Sequence, residues 1–73
     1  MIWYDKPVKT LEDVRKFARR IPINEVVIVP IDGEVHMFRM RLNKAMAEID
    51  IKQYVTRALE NKEIAVIIID PNA

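Results

Sequence analysis

The chain has 73 residues, 32% of them charged, with a net charge of +1 and no cysteine. That length gives a single small domain, residues 1–73, which buries only a modest share of its surface and has a thin margin of stability. The absence of cysteine removes disulfides and thiolate zinc sites as reinforcement, and near-neutrality gives no overall signature of a nucleic-acid or anionic-membrane binder.

Residues 1–4 (MIWY) are apolar and aromatic, as a short strand requires, and Pro7 stops that strand or confines it to an edge. Residues 10–13 (TLED) fit a capping box, in which a threonine oxygen meets an orphan amide and an acid sits three residues on. Leu11, Val14, Phe17, Ala18 and Ile21 then recur at helical spacing, with acids in the first turn and bases in the last, until Pro22. A helix is expected over about 10–20.

Residues 25–42 (EVVIVPIDGEVHMFRMRL) read as a β-hairpin turning at Asp32-Gly33, because glycine accepts a positive φ at no steric cost. One face would carry Val27, Val29, Phe38 and Leu42. The other would carry Val26, Ile28, Val35 and Met37, so neither face becomes polar. Residues 43–49 read equally as a short third strand or, given the helix propensity of AMAE, as helix. A second helix is expected from Asp50, as N-cap, to about Asn61, with Ile51, Tyr54, Val55, Ala58 and Leu59 as its apolar stripe. Residues 63–70 (EIAVIIID) form a continuous, isoleucine-rich apolar run, the pattern of an interior strand buried on both faces.

The expected fold class is therefore α+β: a mostly antiparallel sheet of about four strands with two amphipathic helices, in the order βαββαβ. That order resembles the ferredoxin-like arrangement. The likeness is one of element order alone, carried by no motif, and the last strand there lies at a sheet edge whereas residues 63–70 read as interior.

Two helices on one side of such a sheet would leave the other side bare, exposing Val26, Ile28, Val35, Met37 and alternate residues of 64–69. So large an apolar patch marks an interaction site. The simplest cover is a second copy of the chain, since symmetric dimers are the commonest oligomers. The competing arrangement places one helix on each face and needs no partner. A protein partner is a further expectation, and Met37, Met40 and Met46 suit an adaptable contact surface as well as an ordinary core. Nucleic-acid binding is the alternative from another class. Arg39, Arg41 and Lys44 would follow one another along the second hairpin strand, and Arg19 and Arg20 close the first helix, although Phe38 alone offers a stacking ring.

His36 is the only histidine, near Glu34, with no cysteine or serine to activate, and a single glycine excludes a glycine-rich phosphate loop. The expectation is a non-catalytic protein without cofactor or metal. No run approaches the about 18 apolar residues of a membrane span, and the N-terminal residues do not read as a signal peptide, so a cytoplasmic location is expected. The lack of serine and the wealth of Lys, Glu and Arg suggest a thermophilic source.

Overall fold

The computed structural model describes residues 1–70. It contains β1 (Ile2–Trp3), α1 (Leu11–Arg20), β2 (Val27–Pro30), α2 (Val35–Glu48), β3 (Tyr54–Ala58) and β4 (Glu63–Ile68). The four strands make one mixed sheet in the order β1-β2-β4-β3, backed by the two helices. The class is α+β, with two antiparallel pairings and one parallel pairing. The chain order, βαβαββ, differs from the expected βαββαβ.

The first helix forms as its sequence dictates. Thr10 Oγ1 accepts from the Asp13 amide at 3.1 Å, while Asp13 Oδ2 accepts from the amides of Thr10 (3.0 Å) and Lys9 (3.1 Å). This closes the capping box and ties down the turn before it. Val14, Phe17 and Ala18 are buried, and Leu11 and Ile21 are half-buried at the ends of the stripe.

The expected hairpin is where sequence and structure part. The Asp32-Gly33 turn is real, and Gly33 has φ +126°, a conformation that side-chain-bearing residues rarely adopt. It leads into α2 rather than a second strand, and α2 absorbs residues 43–48, which are helix. The helical stripe is Val35, Phe38, Leu42, Ala45 and Met46. Met37 and Met40 lie on the exposed side, and it is these two that mimicked a two-residue period.

Asp50 likewise ends a helix rather than starting one. It sits in the left-handed region at φ 59°, its amide bonds the Ala47 carbonyl, and the Ile51 amide bonds the Met46 carbonyl. These two bonds are the Schellman closure, and Ile51 packs on the core that contains Met46. Residues 54–58, expected to be helical, are β3. Asn61 and Lys62, both at positive φ, then reverse the chain into β4.

This topology decides which side of the sheet is covered. β3 runs parallel to β2, because both are antiparallel to β4. The chain thus makes two parallel crossovers, β1-α1-β2 and β2-α2-β3, both moving the same way across the sheet. Crossovers of one hand travelling in one direction put their helices on the same face. The core agrees: Val14, Phe17 and Ala18 of α1 and Phe38, Leu42, Ala45 and Met46 of α2 share one cluster with Val27, Val29, Ile64, Val66 and Ile68. The registers Val27↔Val66 and Val29↔Ile64 place those strand residues on a single face. The arrangement with one helix on each face is excluded.

Candidate interaction surface

Alternation along the strands assigns the other face without ambiguity. One row across the sheet is Trp3, Ile28, Ala65 and Arg57, paired in that order. The next pairs Ile67 with Val55 and continues to Val26, which precedes β2. Pro30 opposite Glu63 begins the third, and Ile69 extends β4 with the same facing. No helix lies over these rows.

Exposure follows from that absence. Trp3 is 59% exposed and Val55 53%, and Val26 and Ile69 are also open to solvent. Ile28 is the exception at 5%, flanked by Trp3 on one side and Ala65 on the other. Apolar surface left in water at about 25 cal/mol per Å² is a standing driving force for association. The two charged side chains within the strands of this face are Arg57 and Glu63, one of each sign, so the face carries no net charge.

At one end of the sheet a groove of about 300 Å³ is lined by Ile23, Asp50, Ile51, Gln53, Ile68 and Ile69, among others. Through Ile69 it adjoins the open face.

Of the four residues expected on the uncovered face, Val26 and Ile28 stand on it. Val35 and Met37 do not: Val35 packs against the core in the first turn of α2, and Met37 lies on the outer surface of that helix. Trp3 and Val55 belong to the face and escaped sequence reasoning. Val55 falls in the expected helical stripe of residues 51–59, and the sequence offers Trp3 no pairing partner.

The basic residues are not aligned along a strand, although Lys44 and Arg19 both lie near the Arg15–Glu48 pair between the helices. Arg39, Arg41 and Lys44 ride on α2, where residues two apart point about 200° apart, so no basic strand exists. Arg39 Nε donates to Thr56 Oγ1 on β3 at 3.1 Å, whereas Arg41 donates to the Lys9 carbonyl at 2.7 Å on the opposite flank. Arg19 and Arg20 end α1 as expected. Arg15 forms a two-pronged pair with Glu48 (2.9 and 2.8 Å) that joins the helices and holds the Glu48 carboxyl below its ordinary value. Tyr54 hydrogen-bonds Asn43, and burial pushes its phenol up. His36 lies in the first turn of α2, exposed, with Nδ1 3.2 Å from Glu34 Oε2.

Among the described residues no group of histidines and carboxylates could hold a metal ion, and no helix is long and apolar enough to cross a membrane. Compared with known proteins, the chain matches no family model, no curated protein and no solved structure.

Proposed function

We propose that this protein is a non-catalytic association module whose bare sheet face packs against a second copy of itself. The observation that carries the reading is the one-sided placement of both helices, which leaves Trp3, Val26, Val55, Ile67 and Ile69 on a face with no cover.

Charge supports a like partner over an unlike one. A face with one Arg57 and one Glu63 is its own complement under a two-fold axis, whereas a strongly charged partner would find nothing to match. Docking of an additional protein is a second role for the same assembly, with the exposed Met37 and Met40 of α2 on its outer surface. Arg39, Arg41 and Lys44 lie on α2 and not along a strand, so the nucleic-acid alternative has no support in the form of a basic β-ribbon.

The test uses the single tryptophan, Trp3. Light scattering behind gel filtration is expected to give twice the chain mass at micromolar concentration, and dilution to shift Trp3 emission to the red as the face is uncovered. A chain mass of one at that concentration, with emission independent of dilution, overturns the reading.

A further inference from the structure

The two flanks of α1 differ in how their charges are answered. On the flank towards α2, Arg15 is neutralised by Glu48, with Glu12 at 4.0 Å as well. On the opposite flank, at the β1 edge, a cleft of about 180 Å³ is lined by Tyr4, Lys6, Pro7, Val8, Asp13, Lys16 and Arg20. Three of these residues are cations, and among the described residues none of the three has a carboxylate within ion-pair distance. The single acid, Asp13, has its Oδ2 committed to the backbone amides of Lys9 and Thr10, which anchors it as a helix cap. The cleft therefore carries a net charge of two, positive, close to the pocket-forming turn of residues 5–8.

A concave site with an excess of positive charge attracts anions, since its walls focus the field of the cations that line it. The walls are firm: the Tyr4 ring packs edge-on against Phe17 at 5.0 Å, and the Val8 amide bonds the Pro30 carbonyl at 3.0 Å. The cleft is open to solvent on one side and has room for a group the size of a phosphate.

We propose that the cleft of Lys6, Lys16 and Arg20 binds a phosphate dianion, as inorganic phosphate or as the terminal group of a small phosphomonoester. A monoester phosphate near neutral pH carries about −1.5 to −2, which matches the site, whereas a phosphodiester carries a single charge spread along a chain. Arg20 supplies a planar fork for two oxygens, and Lys6 and Lys16 supply point charges from the loop and from the preceding turn of the helix. The site is separate from the open sheet face and stands independently of the dimer.

The experiment is an amide-resonance titration of the full chain at constant ionic strength. Inorganic phosphate and a nucleoside monophosphate form two arms, with dimethyl phosphate and sodium chloride as the contrasts. Saturable shifts confined to residues around 4–8 and 16–20 are expected for the first two ligands and not for the contrasts. If inorganic phosphate saturates as well as the monoester, the phosphate alone is the ligand; a tighter monoester shows that the attached group also touches the cleft. Lys16→Gln with Arg20→Gln, both exposed and both good helix formers as glutamine, is expected to weaken binding by about tenfold or more. Lys6→Gln, outside the helix, is expected to weaken it on its own, and its amide spectrum reports that the fold persists. Shifts that never saturate at tens of millimolar, that dimethyl phosphate reproduces, or that survive these substitutions overturn the proposal.

Discussion

The two faces of the sheet are built from neighbouring residues of the same strands and meet opposite fates. Val27, Val29, Ile64 and Val66 are essentially inaccessible beneath the helices, while Val26, Val55 and Ile69, one step away in register, remain in water. Composition does not separate them, since valine and isoleucine dominate both. Topology does, because two parallel crossovers travelling the same way put both helices on one side. An apolar side chain in a small sheet protein therefore stabilises the monomer where the connections cover it or, as for Ile28 between Trp3 and Ala65, where its sheet neighbours shield it; otherwise it becomes available to a partner.

Substitutions in the covered face test the first half of this contrast and have the largest expected effect. Phe17 is fully buried, packs edge-on against Tyr4 and sits 6.2 Å from the Phe38 ring, so it links α1 to α2 and to the residue that follows β1. Phe17→Ala is expected to cost about 3–5 kcal/mol, and Leu42→Ala about 2–5 kcal/mol. A domain of this size has roughly 4–11 kcal/mol in total at the usual stability per residue. Urea unfolding should accordingly show a much lower midpoint for Phe17→Ala, with the variant unfolded in water if the parent lies at the low end of that range. A loss under 1 kcal/mol would mean that the helix layer is not the main source of stability.

A charge on the open face tests the other half. Val55→Lys leaves the monomer's fold alone, because an exposed substitution of this kind stays within about 0.5 kcal/mol, but it sets lysine against apolar surface in the dimer. The wild-type melting temperature is expected to rise with protein concentration, as association stabilises the folded state, and the variant's is expected not to. If both melt independently of concentration, the two faces differ only in exposure and not in role.

The contrast also explains what could be read from the sequence. The first helix was legible to its cap because Thr10, Asp13 and the stripe from Val14 to Ala18 all signal the same element. The interior position of β4 was legible too, because a run such as residues 63–68 has no polar side to confuse, but the expected burial on both faces is not met: Ile64, Val66 and Ile68 are buried, whereas Ala65 and Ile67 are half-buried and Ile69 is exposed. Residues 35–42 misled because a helix whose outer side carries Met37 and Met40 among arginines imitates strand alternation over one short window. Residues 51–59 misled in the opposite sense: Tyr54, Val55 and Ala58 fall at helical spacing by accident, and only pairing with β4 across a turn at Asn61 and Lys62 settles their conformation. Pairing of this kind is non-local, so no window of the sequence contains it. Whether a face would be left uncovered was not legible, because two helices could equally have taken one face each; only the order of the strands and the direction of the crossovers put both on one side.

Acid sharpens the comparison at the level of the helices. The Asp13 carboxyl lies below its ordinary value, chiefly through the amides of Thr10 and Lys9, and the Glu48 carboxyl lies below its own through Arg15. A depressed folded-state value stabilises the protein above the ordinary carboxylate range and is lost as pH falls through the depressed one. Stability should decline below about pH 4. Asp13→Asn combined with Glu48→Gln should be less stable at neutral pH and flatter through that range. Equal slopes for wild type and variant in urea titrations at pH 7 and pH 3 would show that these contacts do not hold the helix layer.

The smallest effect expected lies where the helix layer hands the chain back to the sheet. Asp50 adopts φ 59° to close α2, a conformation that glycine reaches without the steric cost borne by a residue with a Cβ. The closure rests on backbone bonds from Asp50 and Ile51 to Ala47 and Met46, which glycine keeps. The aspartate side chain has only a loose 3.9 Å pairing with Lys52 in an exposed position, so little is lost with it. Its negative charge also sits at the negative end of the helix dipole, where it opposes the helix. Asp50→Gly removes the backbone strain and the unfavourable charge but adds freedom to the unfolded chain, so the net gain is expected to be about 0.5–1 kcal/mol. A raised urea midpoint with an unchanged slope would match it. A destabilised variant would mean that Asp50 contributes through its side chain to the groove it lines with Ile23 and Ile69, and would tie the end of the covered layer to the open one.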